Sequence, residues 1–207
     1  MKIFVVGANG RVAEELIKLL VERGHSILAG ARSVEKVPEM DGVKPVHFDL
    51  HWTAAKMAEA LENAEVVYFT AGSRGKDLLQ TDLYGAVKVM QASEERGIKR
   101  YIQLSSIFSM EPERWNDSIT DYNIAKMFSD YWLMDKTNLD YTILQPGNLE
   151  EKPATGKIEV NVKEAGPNPI PDVASTLATL LDQPNTVKKV IMMHTGDTPI
   201  RDALASI

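Results

Sequence analysis

Short apolar runs, separated by longer stretches with helical spacing, constrain this chain more than any other feature. The runs are Lys2–Val6, Ser26–Ala31, Val43–Phe48, Glu65–Thr70, Arg100–Leu104, Tyr141–Leu144 and Lys189–Met193. They are rich in Val, Ile, Tyr and Phe and are apolar on both parities. A strand carries that pattern when both its faces are buried, and such strands belong to parallel sheets. Parallel neighbours need a crossover, usually a helix. The intervening segments supply one. Val12, Leu16, Leu19 and Leu20 share one face of the first, and Met57, Ala60 and Leu61 of the second. Leu83, Val87, Met90 and Gln91 continue the theme, followed by Thr120–Met134 and Pro171–Leu181. Gly24 and Gly97 fall where a helix stops, and Pro171 with Asp172 opens the last long helix. Right-handed βαβ units then predict an α/β fold of three layers, with a doubly wound, mostly parallel sheet.

At 207 residues the chain is expected to form one domain. After Gly147 the pattern changes. Pro153, Pro167, Pro169 and Pro171 interrupt it, and Gly156–Val162 alternates apolar and polar residues like a strand. Residues 148–170 are expected to form a small, loop-rich C-terminal cap over the sheet edge. Lys plus Arg is 23 and Asp plus Glu is 29, a net charge of −6. That sign argues against a nucleic-acid partner. There is no cysteine, which excludes a disulfide scaffold, a thiolate metal site and a cysteine nucleophile. The apolar run Ile3–Val6 is too short for a signal or membrane segment, so a cytoplasmic protein without a membrane partner is expected. His25, His47, His51 and His194 lack metal-ligand spacing, and no metal is expected.

The N-terminal strand runs into Gly7-Ala8-Asn9-Gly10-Arg11-Val12-Ala13 and then a helix. Gly7 permits the tight turn, Gly10 lets the backbone approach a pyrophosphate, and Ala13 stands where helix and strand pack closely. The helix N-terminus offers free N–H groups and a partial positive charge to phosphate. Strand, glycine turn and helix in that order predict a dinucleotide site. The second strand ends at Gly30-Ala31-Arg32-Ser33, with no acid to bind a ribose 2′-hydroxyl. Arg32 suits a 2′-phosphate instead, because its planar fork donates two parallel hydrogen bonds. NADP(H) is therefore favoured over NAD(H).

Tyr122 and Lys126 are four apart in a helical segment and share a face. A tyrosine hydroxyl ordinarily titrates near ~10, and an adjacent ammonium favours the phenolate. The pair suits proton exchange with a carbonyl that receives hydride. Ser105 and Ser106 end the strand Arg100–Leu104, on the ligand-binding edge of such a sheet. Phe108, Met110 and Trp115 follow and offer a candidate apolar wall.

The order Gly7-x-x-Gly10-x-x-Ala13, Asp49-Leu50, Ala71-Gly72, Ser105-Ser106, Tyr122-x-x-x-Lys126 and Pro146-Gly147 resembles the short-chain dehydrogenase/reductase superfamily. It is most similar to the atypical NAD(P)-binding members, near the epimerase/dehydratase branch and the NmrA-like group, and the likeness covers essentially the whole chain. The resemblance implies a Rossmann-like fold. It implies that Gly7, Ala8, Asn9, Gly10, Arg11 and Val12 hold the pyrophosphate, that Asp49 and Leu50 flank the adenine, and that Ala71 and Gly72 pass beside the cofactor. Tyr122 would be the general acid–base and Lys126 would hold the nicotinamide ribose. Ser106, or else Ser105, would hold the substrate oxygen, and Pro146, Gly147, Asn148 and Leu149 would lie near the nicotinamide.

The function expected is an NADP(H)-dependent oxidoreductase acting on a small carbonyl or alcohol, as a monomer or homodimer. Two alternatives remain open from sequence. One is a non-catalytic NADP(H)-binding sensor of the NmrA-like kind. The other is a reductase passing hydride to a flavin or quinone.

Overall fold

In the first strand, β1 (Lys2–Val6), Ile3 and Val5 face one helical layer while Phe4 and Val6 face the other, and all four are buried. This is the two-sided burial that the apolar runs predict. The computed structural model describes residues 1–207. The remaining core strands are β2 (Ser26–Ala31), β3 (Val43–His47), β4 (Val66–Phe69), β5 (Arg100–Leu104) and β6 (Asp140–Pro146). Along the sheet they lie in the order β6-β5-β4-β1-β2-β3, and every neighbouring pair is parallel. The chain therefore reverses its direction of winding between β1 and β4, where such sheets open a crevice at their carboxyl ends.

Helix α1 (Arg11–Glu22) packs with α5 (Ile170–Leu180) and α6 (Ile200–Ala205) on one face, around Leu16, Leu177 and Leu204. Helices α2 (Ala54–Ala60), α3 (Tyr84–Glu95) and α4 (Thr120–Lys136) cover the other, around Met57, Met90 and Leu133. Gly24 stops α1 as expected. At φ +81° it closes the helix with bonds from its own N–H to Val21 O and from His25 N–H to Leu20 O. No helix is long and apolar enough to cross a membrane.

Two regions differ from the sequence reading. The segment 148–170 is not simply a loop-rich cap. It contains β7 (Asn148–Glu150), β8 (Lys157–Val160) and β9 (Pro167–Pro169). Strand β8 pairs antiparallel with β10 (Lys189–Thr195), and β11 (Thr198–Pro199) pairs with β8, so the main sheet grows past β6. The cause is Ile158, which is fully buried and must face the core. Of these strands β7 reaches the cleft, through Asn148 and Leu149, and β9 pairs with it in a small separate sheet. Buried Asp172 anchors the connecting loop by accepting from the N–H groups of Thr155 and Gly156. The second difference precedes α3. Leu83 lies in a π-helical segment, Leu78–Leu83, and Gln91 faces solvent. Gly85 sits at that junction, where a Cβ would come within 2.8 Å of Gln80 O and 2.9 Å of Leu50 Cβ.

Candidate active site

A cleft of about 560 Å³ runs across the carboxyl ends of β1, β2, β4, β5 and β6. Its floor is the glycine turn. Gly7 holds φ +84°, and a Cβ there would stand 2.7 Å from Ala71 Cα. No side chain caps α1. The N–H groups of Arg11 and Val12 find no backbone acceptor. Free N–H groups at a helix N-terminus, reached over a floor without side chains, fit a pyrophosphate. Gly7, Asn9, Gly10, Arg11 and Val12 all line the cleft. Ala8 does not. Its methyl is fully buried in the core beneath α1, because the turn points that residue inward, and its expected cofactor contact is corrected accordingly.

One end of the cleft is made by Arg32, Asp49 and Leu50, together with Phe48, Arg74 and Thr81. Lys88 is buried under it and donates to the carbonyls of Leu50 (2.7 Å) and Trp52 (2.8 Å), fixing the loop after β3. Burial lowers the Lys88 pKa from the usual lysine range. Asp77 stands behind Thr81 at this end. Its carboxylate accepts from the Thr81 hydroxyl and pairs with His51 Nε2, each at 2.6 Å. The Thr81 bond first, then His51, holds the Asp77 carboxyl below the usual range. Arg32 and Arg74 form no salt bridge, and both are exposed at this end. Sequence reasoning missed Arg74. It sits in the left-handed region at φ +54°, before Gly75, in the loop after β4.

Between the two ends, Ala71 and Gly72 line the cleft as expected, with Thr70 and Ser73 beside them. Asp82, fully buried, accepts from the Ser73 N–H at 3.0 Å and fixes this loop from below.

Ser105, Ser106, Tyr122 and Lys126 meet at the other end, with Ile119 at the rim. Tyr122 and Lys126 share the inward face of α4, and the ammonium lies 5.7 Å from the tyrosine ring centroid. Lys126 is 3 % exposed, and its one protein acceptor is Leu104 O at 3.2 Å. The two serines separate. Ser105 is buried and donates its hydroxyl to Asp130 at 2.6 Å. That bond commits the Ser105 hydroxyl proton to Asp130. Ser106 is half-buried, and its hydroxyl meets no protein partner. Asp130 itself is fully buried. Burial pushes its carboxyl up, against the bonds donated by Ser105, Ser109 and Gln103 and the nearby Lys126 charge.

Pro146, Gly147, Asn148 and Leu149 form the facing wall. Gly147 packs against the Gly166 carbonyl, leaving no room for a Cβ. Just beyond, Glu151 pairs with Arg11 at 2.7 Å and ties this wall to the start of α1. The candidate apolar wall of Phe108, Met110 and Trp115 is not in the cleft. Phe108 is buried beneath the Arg114 guanidinium, and Trp115 Nε1 donates to Phe108 O at 2.9 Å. These residues brace their own loop.

Residues 7–184 match the family described as NAD(P)H-binding. The chain belongs to that family. Among solved structures, it is 49% identical to the oxidoreductase ylbE from Lactococcus lactis, at a TM-score of 0.97, covering 100% of this chain and 96% of that one. It is 34% identical to the uncharacterized sugar epimerase YhfK of Bacillus subtilis over the whole of both chains. The same fold recurs, at a TM-score of 0.76 and 17% identity over 96% of each chain, in a short-chain dehydrogenase/reductase from Veillonella parvula in complex with NADP. Membership of the NAD(P)H-binding family supports a nicotinamide cofactor for this chain.

Proposed function

We propose that this protein is an NADP(H)-dependent oxidoreductase of the short-chain dehydrogenase/reductase type, acting on a small carbonyl or alcohol. The observation that carries the reading is the convergence of Tyr122, Lys126 and an unengaged Ser106 hydroxyl at one end of a cleft whose floor is a glycine turn. When bound, the nicotinamide supplies or takes up hydride at ring C4. The chain's own residues do the rest. Ser106 donates a hydrogen bond to the substrate oxygen and orients it. Tyr122 gives its hydroxyl proton to that oxygen during reduction and takes it back during oxidation. Lys126, with two N–H groups left beyond its bond to Leu104 O, holds a ribose hydroxyl and stabilises the phenolate.

Arg32 and Arg74 support the preference for NADP(H). Both stand unpaired at the far end of the cleft, where no acid occupies the end of β2. A 2′-phosphate there gains charge-assisted, fork-shaped hydrogen bonds that a 2′-hydroxyl does not. The size of the substrate follows from the wall after β6. With β8 drawn into the main sheet, β7 is the strand of this segment left to enclose it. That suits a small molecule better than a nucleotide sugar. Oxidation of NADPH in the presence of a panel of small aldehydes and ketones tests the reading. Turnover by the wild type that Tyr122→Phe abolishes supports it. Turnover that Tyr122→Phe leaves unchanged overturns it.

A further inference from the structure

We infer that Asp130 is a positioning residue, whose buried carboxylate locks the serine loop and the ends of two strands onto α4 so that Ser106 and Lys126 face the nicotinamide end of the cleft. The inference rests on the cofactor reading above. Asp130 is fully buried one helical turn beyond Lys126. Four donors converge on it. Gln103 Nε2 from β5 donates at 2.6 Å and Gln145 Nε2 from β6 at 3.1 Å. The hydroxyls of Ser105 (2.6 Å) and Ser109 (2.7 Å) come from the start of the loop after β5. Gln145 also donates to Ser109 at 2.7 Å, closing the network.

Asp130 thus gathers donors from β5, from β6 and from the loop between β5 and α4. A buried carboxylate is expensive to maintain without full satisfaction, so a purely structural role would be filled as well by an apolar packing residue. What the carboxylate adds is orientation. Engaging the hydroxyls of Ser105 and Ser109 leaves Ser106 as the serine of this loop with a free hydroxyl at the cleft. The same loop carries Phe108 at φ +55°, a left-handed conformation that surrounding structure must enforce. Lys126 hangs from the adjacent Leu104 carbonyl, so a shift of the β5 end moves the lysine as well.

The test separates the two ends of the cofactor. NADPH touches the whole cleft, whereas adenosine 2′,5′-bisphosphate reaches only the Arg32 end. Both are titrated by calorimetry against wild type, Asp130→Asn and Lys126→Met. In Asp130→Asn, NADPH should bind about tenfold more weakly, the loss of one good hydrogen bond, while the bisphosphate binds as before. General destabilisation would weaken both ligands together, and that result or unchanged NADPH binding overturns the role of Asp130. If Asp130→Asn does not fold, Ser109→Ala replaces it, and the same split in smaller size is required; no split overturns the inference. Lys126→Met distinguishes the two levels of the argument. If it shows no split between the ligands, the assignment of Lys126 to the nicotinamide ribose fails first, whatever Asp130→Asn does.

Discussion

Replacing Gly7 by alanine tests the geometry on which the cofactor reading stands, and Gly24 provides the matching control. Both glycines are left-handed, at φ +84° and +81°. An L-residue in that conformation costs about 1–2 kcal/mol. They differ in surroundings. A Cβ at Gly24 meets nothing within 4 Å, whereas one at Gly7 would lie 2.7 Å from Ala71 Cα and 2.9 Å from both its N and Cβ. Two of those neighbours are backbone atoms at the end of β4 and cannot rotate away. Forcing a methyl into such a site adds roughly 1–3 kcal/mol of overpacking. Gly24→Ala should therefore lose about 1–2 kcal/mol in urea denaturation, and Gly7→Ala roughly 2–5 kcal/mol. Any relief of the clash must separate β1 from β4, which is where the crevice opens, so Gly7→Ala should also lose NADPH binding while Gly24→Ala keeps it. Equal losses of stability in the two variants would refute the close approach of Gly7 and Ala71. Undiminished NADPH binding by a folded Gly7→Ala would refute the glycine turn as the pyrophosphate floor.

Tyr122→Phe should keep NADPH affinity within about twofold and reduce turnover by about 10²–10⁴, the usual worth of a general acid–base; calorimetry and a steady-state assay check the two halves. Asp77→Asn should lower stability near neutral pH, with an effect that disappears in acid. The folded-state pKa of Asp77 is lowered, so its contribution is present above the unfolded value of about 3.9 and is lost as pH falls through the folded value. Thermal melts of both proteins at about pH 6 and about pH 2 measure this; a difference that grows in acid would contradict the sign. Arg74→Ala should weaken NADPH and leave NADH unchanged, since only the former carries the 2′-phosphate; equal weakening of both, by calorimetry, would remove Arg74 from the phosphate end.

The parts of this protein that were legible in sequence are those whose physics is local. Two-sided apolar runs declare a parallel sheet, and β1 divides its side chains between the two layers as its parity requires. The glycine turn is equally local, since strand, tight turn and helix start lie within a dozen residues. Ser105 and Ser106 could not be told apart in sequence, because the choice depends on a carboxylate 25 residues away. A signal for Asp130 did exist. Tyr122, Lys126 and Asp130 fall at successive four-residue steps, a polar line along the inward face of α4, and buried polar groups need partners. Ala8 was misassigned because the turn alternates its side chains between cleft and core. Arg74 was missed because exposure in a loop leaves no periodic trace. The fate of β8 turned on Ile158, whose burial reflects a partner strand, β10, that comes later in the chain and sets Thr195 opposite it.

On the reading proposed above, this cleft binds NADP(H) through its 2′-phosphate. Calorimetric titration of the wild type and Arg32→Ala with NADPH and with NADH tests it most directly. NADPH should bind the wild type more tightly, and most of the preference should disappear in Arg32→Ala, with NADH affinity little changed. Equal affinities in the wild type, or a preference that survives loss of Arg32, would contradict it.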